Sequence, residues 1–453
     1  MHFPTRLKIF LLLAATAFLP RAHADAPATT VRPSPAWIRD AVVYEIFVRN
    51  FSSAGNFPAV TARLDELKNL GVDVLWLMPI HPVGEKLRKG TVGSPYAIRD
   101  YYAIDPANGT PAEFKQLIAA AHARGLKVIM DLVANHTAWD SVMMAHPEFY
   151  KQDAHGKIIP PVEGWTDVAG LNYTNAQLRD YMITMMRHWL VDFDVDGFRC
   201  DVAYMVPTDF WEQARAALEK SKPGFLLLAE ASKPELLTQA FDLDYAWPLH
   251  GTLNQVMIEG APASELQKSW ENSRREFPAG ALHLRISDNH DEARAVARFG
   301  LRGALATQVF MLTLDGVPLF YNGMEVGDAA ESGDPALFEK LPIFWNPKER
   351  PPLRAIYRDL LKLRKTHPAF RTDSVTWLKN SAPENVLTFT RDDDHEEFLI
   401  VINLSSRPQA TTVELTAPEK FSPVKINGQQ PPGLDTTTLK LGGYEWRIYH
   451  RTR

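Results

Sequence analysis

Cysteine is nearly absent from this chain of 453 residues, which contains one, Cys200, within the segment DGFRCDVAY. A lone cysteine cannot form a disulfide within the chain, so the fold must be stabilised by its core or by bound ions. The sequence also lacks the closely spaced cysteines and histidines that are typical of zinc sites. We therefore expect neither an internal disulfide nor a zinc site.

Excess positive charge and long apolar runs are missing as well. The 49 Lys and Arg residues are outnumbered by 54 Asp and Glu residues, which gives a net charge of −5. Nucleic-acid-binding domains usually carry a basic surface, so we expect no nucleic-acid partner. No apolar run beyond the amino terminus is long enough for a membrane span. We expect a monomer.

The amino terminus has the pattern of an export signal. Arg6 and Lys8 precede an apolar run from Ile9 to Leu19, and Ala22-His23-Ala24 follows the small-x-small pattern of a cleavage site. The run is shorter than a membrane-spanning helix requires. We therefore expect residues 1–24 to be a signal peptide and the mature protein to be periplasmic or secreted.

Strand-like and helix-like segments alternate from Trp37 onward. Eight β-rich segments are separated by helical ones: AVVYEIFVRNF, VDVLWLMPI, LKVIMDLVANH, VDGFRCDVA, GFLLLAEAS, FDLDYAW, ALHLRISDNHD and DGVPLFYNG. Near-continuous apolar strands indicate a parallel sheet buried on both faces. Eight strand–helix pairs favour a (β/α)8 TIM barrel, because open sheets more often have five or six strands.

Two stretches depart from this alternation. Residues 137–174 are rich in Pro, Gly, Asp and aromatic residues and follow the third strand, so they predict an inserted domain. Residues 372–453 contain short alternating runs separated by turn residues, which predicts an antiparallel β-sandwich. The predicted fold is α/β, with the barrel formed by residues 25–136 and 175–371.

Charged and polar residues end four of the predicted barrel strands, in DLVANH, GFRCDVA, LLLAE and ISDNHD. The carboxyl ends of barrel strands meet at one rim, where barrel active sites lie. Because side chains alternate along a strand, Arg199 and Asp201 share one face and Cys200 takes the other. Arginine beside Asp201 favours its ionised form, whereas negative neighbours raise the pKa of Glu230. Two carboxyl groups in opposite protonation states suit retaining glycoside hydrolysis.

These four motifs resemble, in their order and spacing, those of the alpha-amylase family of retaining glycoside hydrolases (family thirteen). The segments GSPYAIRDYYAID, VAGLN and GVPLFYNGMEVG resemble supporting family segments. The resemblance implies that Asp201 is the nucleophile, that Glu230 is the general acid and then the base, and that Asp291 stabilises the transition state.

The resemblance also implies roles for residues that hold the substrate. His136 and His290 would hydrogen-bond the sugar at the cleavage site, and Tyr96 would stack under it. Arg199 would hold Asp201 in place and ionised, and Asp131 would orient neighbouring groups. Aromatic residues near the rim could offer further sugar platforms: Trp139, Trp165, Tyr204 and Trp247.

Calcium is the one metal that the resemblance implies, through Asn135 and carboxylates of the insertion. Asp140, Asp153, Glu163 and Asp167 could supply oxygen atoms. However, Tyr204-Met205 replaces a Lys-His pair of many calcium-dependent amylases, in which the lysine contacts substrate and the histidine helps to bind calcium. Calcium at Asn135 is therefore an open expectation, and the chemistry itself requires no cofactor.

The sequence thus predicts an exported glycoside hydrolase that cleaves α-1,4-glucosidic bonds in starch-like polysaccharide or maltooligosaccharides. Two alternatives stay open on the same fold. One is transglycosylation, isomerisation or hydrolysis of cyclodextrin, pullulan or small α-glucosides, since only the acceptor or substrate differs. The other is a catalytically inactive carbohydrate-binding protein, against which the presence of all three carboxylates argues.

Overall fold

The structure is a computed structural model that describes residues 30–330, 336–345 and 353–453. The predicted signal peptide, residues 1–24, lies outside these residues. Among the described residues, no helix combines the length and the apolarity needed to cross a bilayer.

Eight parallel strands close into a barrel, and each coincides with one of the eight β-rich segments. They are β1 (Val43–Ile46), β2 (Val74–Leu77), β3 (Lys127–Leu132), β6 (Gly197–Cys200), β7 (Leu226–Ala229), β8 (Leu243–Tyr245), β9 (His283–Arg285) and β10 (Val317–Tyr321). Their order around the barrel is β1-β10-β9-β8-β7-β6-β3-β2. The predicted TIM barrel is therefore confirmed.

Helices cover the outside of the barrel and connect its strands. They are α1 (Ala36–Arg39), α2 (Val48–Phe51), α3 (Phe57–Thr61), α4 (Leu64–Leu70), α5 (Pro111–His122), α6 (Ala176–Asp192), α7 (Thr208–Leu218), α8 (Leu236–Gln239), α9 (Trp247–Asn254), α10 (Ser264–Glu276), α11 (Ala295–Thr313) and α12 (Leu353–Thr366). Local signals set several ends. Thr110 and Glu113 form a capping box at the start of α5, and Gly71 ends α4 with φ 112°. Both patterns satisfy backbone groups that a helix end leaves without partners.

The alternation of side chains along each strand separates two apolar layers. One layer fills the inside of the barrel and includes Val43, Trp76 and Leu228. The other lies between the strands and the helices, and it contains Phe198 and Cys200. As the alternation of β6 predicts, Cys200 therefore lies on the opposite side of the strand from Arg199.

Two strands of the insertion, β4 (His136–Ala138) and β5 (Val168–Gly170), form a small antiparallel sheet after β3. The residues between them, 139–167, contain two short 3-10 turns and no further strand. The pairing places His136 opposite Gly170. The insertion therefore stands on the carboxyl end of β3, which is the rim where active sites lie in barrels.

The carboxyl-terminal residues form two antiparallel sheets, as predicted. Their strands are β11 (Val375–Trp377), β12 (Val386–Asp392), β13 (Glu396–Asn403), β14 (Gln409–Thr412), β15 (Ser422–Pro423), β16 (Thr438–Leu441) and β17 (Trp446–Thr452). The larger sheet has the order β11-β12-β13-β17-β15 and the smaller one pairs β14 with β16. Val401 and Leu439 belong to the apolar cluster between the sheets. Arg391 of β12 donates to the carbonyl oxygen of Thr313, at 2.6 Å, and so connects this domain to α11.

The position of Cys200 predicts an inert thiol. Its side chain is fully buried, and burial raises the pKa of the thiol well above its usual range. We expect Cys200 to resist a thiol reagent in the native protein and to react once the chain is unfolded in denaturant. Cys200→Ala should cost about 1 kcal/mol of unfolding free energy, through lost packing. Rapid labelling of the native protein would contradict this placement.

Candidate active site

The carboxyl ends of the barrel strands surround a cavity of about 320 Å³. Asp201 follows β6, Glu230 follows β7 and Asp291 follows β9, and all three line the cavity. Tyr96 and His136 also line it. Arg199 is fully buried beneath the cavity, and His290 is almost fully buried. The structure therefore brings together the residues that the sequence proposes for catalysis and for substrate binding.

One buried guanidinium, that of Arg199, contacts three carboxylates. Its Nη1 atom lies 2.9 Å from Oδ1 of Asp131 and 3.0 Å from Oδ1 of Asp201. Its Nη2 atom lies 2.9 Å from Oε1 of Glu230. The register of β3 and β6 pairs Asp131 with Arg199, which sets these two side chains side by side. Arg199 thus fixes Asp201 and Glu230 relative to each other.

The charges around Arg199 do not balance, since one cation faces three carboxyl groups. Burial raises the pKa of Asp201 well above its usual range, the charge of Glu230 adds to this, and Arg199 opposes it. Burial also raises the pKa of Glu230, against the opposing charge of Arg199. Both shifts favour the protonated form of each carboxyl group. Arg199 opposes the rise in the pKa of Asp201, but burial and Glu230 outweigh it, so the net shift is opposite to the one predicted from the sequence.

The pKa of Asp291 shifts in the opposite direction to that of Asp201, because His290 lies beside Asp291. Nε2 of His290 is 3.1 Å from Oδ2 of Asp291, and Nδ1 of His290 contacts Oε1 of Glu45 in β1. Burial lowers the pKa of His290, but the two carboxylates outweigh burial and raise it well above its usual range. Burial likewise raises the pKa of Asp291, but His290 and Arg199 bring it below its usual range. Asp291 is therefore held ionised.

Glu45 is a residue of this site that the sequence analysis missed. It is fully buried in β1, and its contact with His290 favours the charged imidazolium. The available signal was a single carboxylate within the apolar run AVVYEIF, since a buried charge in a strand requires a partner. That signal does not identify the partner, which lies 245 residues away.

Asp131 does not line the cavity, but it contacts Tyr96 at the cavity wall and Arg199 beneath it. It accepts hydrogen bonds from Tyr96 and from Nε1 of Trp76, each at 3.1 Å, besides its contact with Arg199. The Tyr96 hydroxyl also lies 2.6 Å from Nε2 of His290. The ring of Tyr96 stacks on that of His290, with centroids 5.4 Å apart. These contacts fix the orientation of Tyr96 at the cavity wall.

The backbone at Val202 contributes to the position of Glu230. Val202 has φ 36° and ψ 46°, a left-handed conformation that is strained for a β-branched residue. In this conformation its N–H donates to Oε2 of Glu230 at 2.7 Å. The residue after the candidate nucleophile therefore orients the candidate acid.

His136 lies on the insertion side of the cavity as a neutral imidazole. Burial lowers its pKa to about 4, although the charge of Asp167 opposes the change. The indole ring of Trp165 packs edge-on against it, with centroids 5.6 Å apart. A neutral imidazole can both donate and accept hydrogen bonds, which suits sugar hydroxyls.

The walls of the cavity also contain residues that were assigned no role from the sequence. Lys89 forms an ion pair with Asp167 at 2.9 Å, and Leu337 and Phe338 line the same cavity. Of the four aromatic candidates, Trp165 lines the cavity. The other three have different surroundings. Nε1 of Trp139 donates to the carbonyl oxygen of Thr166, the side chain of Tyr204 is 49% exposed, and the ring of Trp247 stacks on that of Tyr245. Loops bring Lys89 and Phe338 to this cavity, and loop residues follow no helix or strand period in the sequence.

Asn135, the candidate calcium residue, is buried beside Met205. Its amide nitrogen lies 3.8 Å from the sulfur of Met205 and 3.3 Å from Nδ1 of His136. Calcium prefers oxygen ligands, and a thioether is a soft donor that does not suit it. Calcium binding through Asn135 and the carboxylates of the insertion stays a prediction.

Known proteins share both the barrel and the carboxyl-terminal domain. The family described as "Alpha amylase, catalytic domain" matches residues 19–155 and 163–351, and the family described as "Maltogenic Amylase, C-terminal domain" matches residues 375–448. The alpha-amylase MalA of Haloarcula japonica is 30% identical over 429 residues, which cover 91% of this chain and 60% of that protein. The chain thus spans about 60% of the length of that relative.

Two further relatives match more of their own length. The crystal structure of a noncanonic maltogenic alpha-amylase AmyB from Thermotoga neapolitana has a TM-score of 0.84 and 31% identity, covering 92% of this chain and 99% of that one. A cyclomaltodextrinase of a Bacillus species is 25% identical over 418 residues, which cover 82% of this chain and 73% of that protein.

The opposite pKa shifts of Asp201 and Asp291 predict opposite effects on stability. Because the folded-state pKa of Asp201 is raised, its favourable contribution is present below the unfolded-state pKa and is lost as pH rises through the folded-state pKa. Asp201→Asn should therefore stabilise the protein at pH 7, on the order of 1 kcal/mol, with Arg199 still compensated by Asp131 and Glu230. The difference from the wild type should shrink below about pH 4.

Asp291→Asn is the matched variant in the same cavity. The folded-state pKa of Asp291 is lowered, so its stabilising contribution is present above the unfolded-state pKa and is lost as pH falls through the folded-state pKa. This variant should be less stable than the wild type at pH 7, by a small amount because the side chain is 37% exposed. Denaturant unfolding across pH 4–8 measures both differences. If both variants changed the free energy of unfolding at pH 7 in the same direction, the opposite pKa shifts of Asp201 and Asp291 would be contradicted.

Proposed function

The chain belongs to the alpha-amylase family of glycoside hydrolases, and we propose that it cleaves α-1,4-glucosidic bonds in starch-like polysaccharide or maltooligosaccharides with retention of configuration. The observation that carries this proposal is the contact of one guanidinium with both Asp201 and Glu230 at the cavity floor. That contact supports a fixed pair of carboxyl groups, and double displacement requires two such groups, one as the acid and one as the nucleophile.

In the first half of the proposed reaction, Glu230 donates a proton to the glycosidic oxygen as the bond to the leaving sugar breaks, and the Asp201 carboxylate attacks the anomeric carbon. The charge of Arg199 supports the ionised form of Asp201 once the proton is on Glu230. Asp291, held ionised by His290, stabilises the positive charge that develops on the sugar ring.

The second half reverses the proton transfer. Glu230, now a carboxylate, takes a proton from water, which attacks the anomeric carbon and releases Asp201. The N–H of Val202 stabilises this charged form of Glu230. Two inversions at one carbon give net retention.

The size of the cavity supports short substrates. About 320 Å³ lies at the small end of the range for ligand sites. The Lys89–Asp167 ion pair and the Phe338 ring line its sides. The names of the relatives favour a second candidate, hydrolysis of cyclodextrin to maltooligosaccharides, which uses the same catalytic steps. We propose no role in catalysis for a cofactor.

A product analysis tests this proposal. The wild type should release reducing sugar from soluble starch, maltotriose or cyclodextrin, and the first product should be the α-anomer by NMR. Glu230→Gln should lower kcat by about 10²–10⁴-fold, because the proton donor is lost, and Asp201→Asn should abolish turnover. EDTA should not change the turnover of folded protein.

Asp209→Asn is the control for these variants, since Asp209 is an exposed carboxylate that pairs with Arg179 on the outer helices. It should keep wild-type turnover. A β-anomer as the first product would contradict retention. Wild-type protein that binds α-glucans but releases nothing from them, pullulan included, would instead identify an inactive carbohydrate-binding protein.

We also propose that the protein is exported and acts as a monomer. The basic start, short apolar run and small-x-small site of residues 1–24 support export. The mature protein should begin at Asp25 by intact mass in the periplasmic or culture fraction, and light scattering should give the mass of one chain. Full-length protein found only in the cytoplasm would overturn the proposal of export. A dimer by light scattering would overturn the proposal of a monomer.

A further inference from the structure

Two histidines and a glutamate meet where the last barrel helix contacts the carboxyl-terminal sheet. Nδ1 of His367, directly after α12, lies 2.7 Å from Oε2 of Glu396 at the start of β13. Nε2 of His450, in β17, lies 3.1 Å from the same oxygen. None of the three lines the active-site cavity. Three distant parts of the chain thus direct two imidazole nitrogens and a carboxylate to one point.

The sheet fixes two members of this cluster on one face. The antiparallel register of β13 and β17 places Phe398 opposite His450, so Glu396, two residues earlier, lies on the same face. The Phe398 ring packs against both imidazoles, with centroids 4.8 Å from His367 and 4.6 Å from His450. This packing limits the rotation of both imidazoles.

The second oxygen of Glu396 gives an independent observation. Oε1 of Glu396 is buried and has no hydrogen-bond partner among the described residues. A carboxylate oxygen without a partner is costly to bury, and a cation is one group that compensates it. The side chains of His367 and His450 are each 31% exposed, which leaves a path from solvent.

We propose that His367, Glu396 and His450 bind a transition-metal dication, with Zn²⁺ as the preferred ion. Two imidazoles and one carboxylate are ligands that Zn²⁺ uses at about 2.0–2.1 Å, with water in a fourth position. The three ligand atoms lie within 4.8 Å of one another, so a small outward shift accommodates tetrahedral coordination. Ca²⁺ is disfavoured because it takes six or more oxygen ligands.

Bound Zn²⁺ would join the barrel to the carboxyl-terminal domain. His367 belongs to the segment after α12, whereas Glu396 and His450 belong to the sheet, so the ion links the two by coordination bonds. Such a link stabilises the folded state and not the unfolded chain, in which the ligands are far apart. The ion takes no part in the proposed hydrolysis.

Zinc titration of protein without an affinity tag, stripped with a chelator, tests this site. Calorimetry should show one Zn²⁺ per chain, and Zn²⁺ should raise the temperature of heat unfolding. His450→Gln should weaken Zn²⁺ binding by about 100-fold, because a neutral amide replaces a ligand nitrogen. His367→Gln should do the same, and either variant should lose the rise in unfolding temperature.

His146→Gln is the matched control, because His146 forms its ion pair with Glu148, at 3.2 Å, outside this cluster. It should bind Zn²⁺ as the wild type does. Co²⁺ should give a visible absorption spectrum in the wild type and in His146→Gln but not in His450→Gln. Absence of saturable Zn²⁺ binding by the wild type, or equal affinity in His450→Gln, would overturn the proposal and leave a hydrogen-bonded contact between domains.

Discussion

A single buried guanidinium has to compensate carboxyl groups from three neighbouring barrel strands. Arg199 contacts Asp131, Asp201 and Glu230, and a buried charge of this kind is stable only with well-placed partners. Arg199 leaves part of the negative charge uncompensated, and burial raises the pKa of both Asp201 and Glu230. The catalytic roles that we propose use this environment, because Glu230 donates a proton in the first step.

The rest of the site is arranged around that constraint. Asp131 extends the contacts of Arg199 to Tyr96 and Trp76, and Glu45 balances the imidazolium of His290 from the opposite side. The strained backbone of Val202 places its N–H on Glu230. Buried, partly uncompensated charge and backbone strain both lower stability, and such features are commonly found where a protein acts on a substrate.

Much of the fold was predictable because barrel strands and covering helices leave strong local patterns. Each of the eight β-rich segments contains a barrel strand, since burial on both faces requires apolar residues throughout. The side of β6 on which Cys200 lies follows from alternation alone. Loop geometry was not predictable in this way. Lys89, Leu337 and Phe338 reach the cavity through contacts between distant segments, and Trp247 instead packs on Tyr245.

Local sequence was enough to predict which chemical groups this protein offers at its rim. A carboxylate or histidine at the end of an apolar strand is a local feature, and parallel strands bring such ends together. The charges of those groups depend on the tertiary structure, because the pKa of Asp201 and that of Asp291 depend on neighbours from other strands and on burial. The tertiary structure also decided that His367, Glu396 and His450 meet. The spacing of residues in a sequence can reveal metal ligands that lie on one turn or loop. These three residues come together only because a helix packs on a sheet.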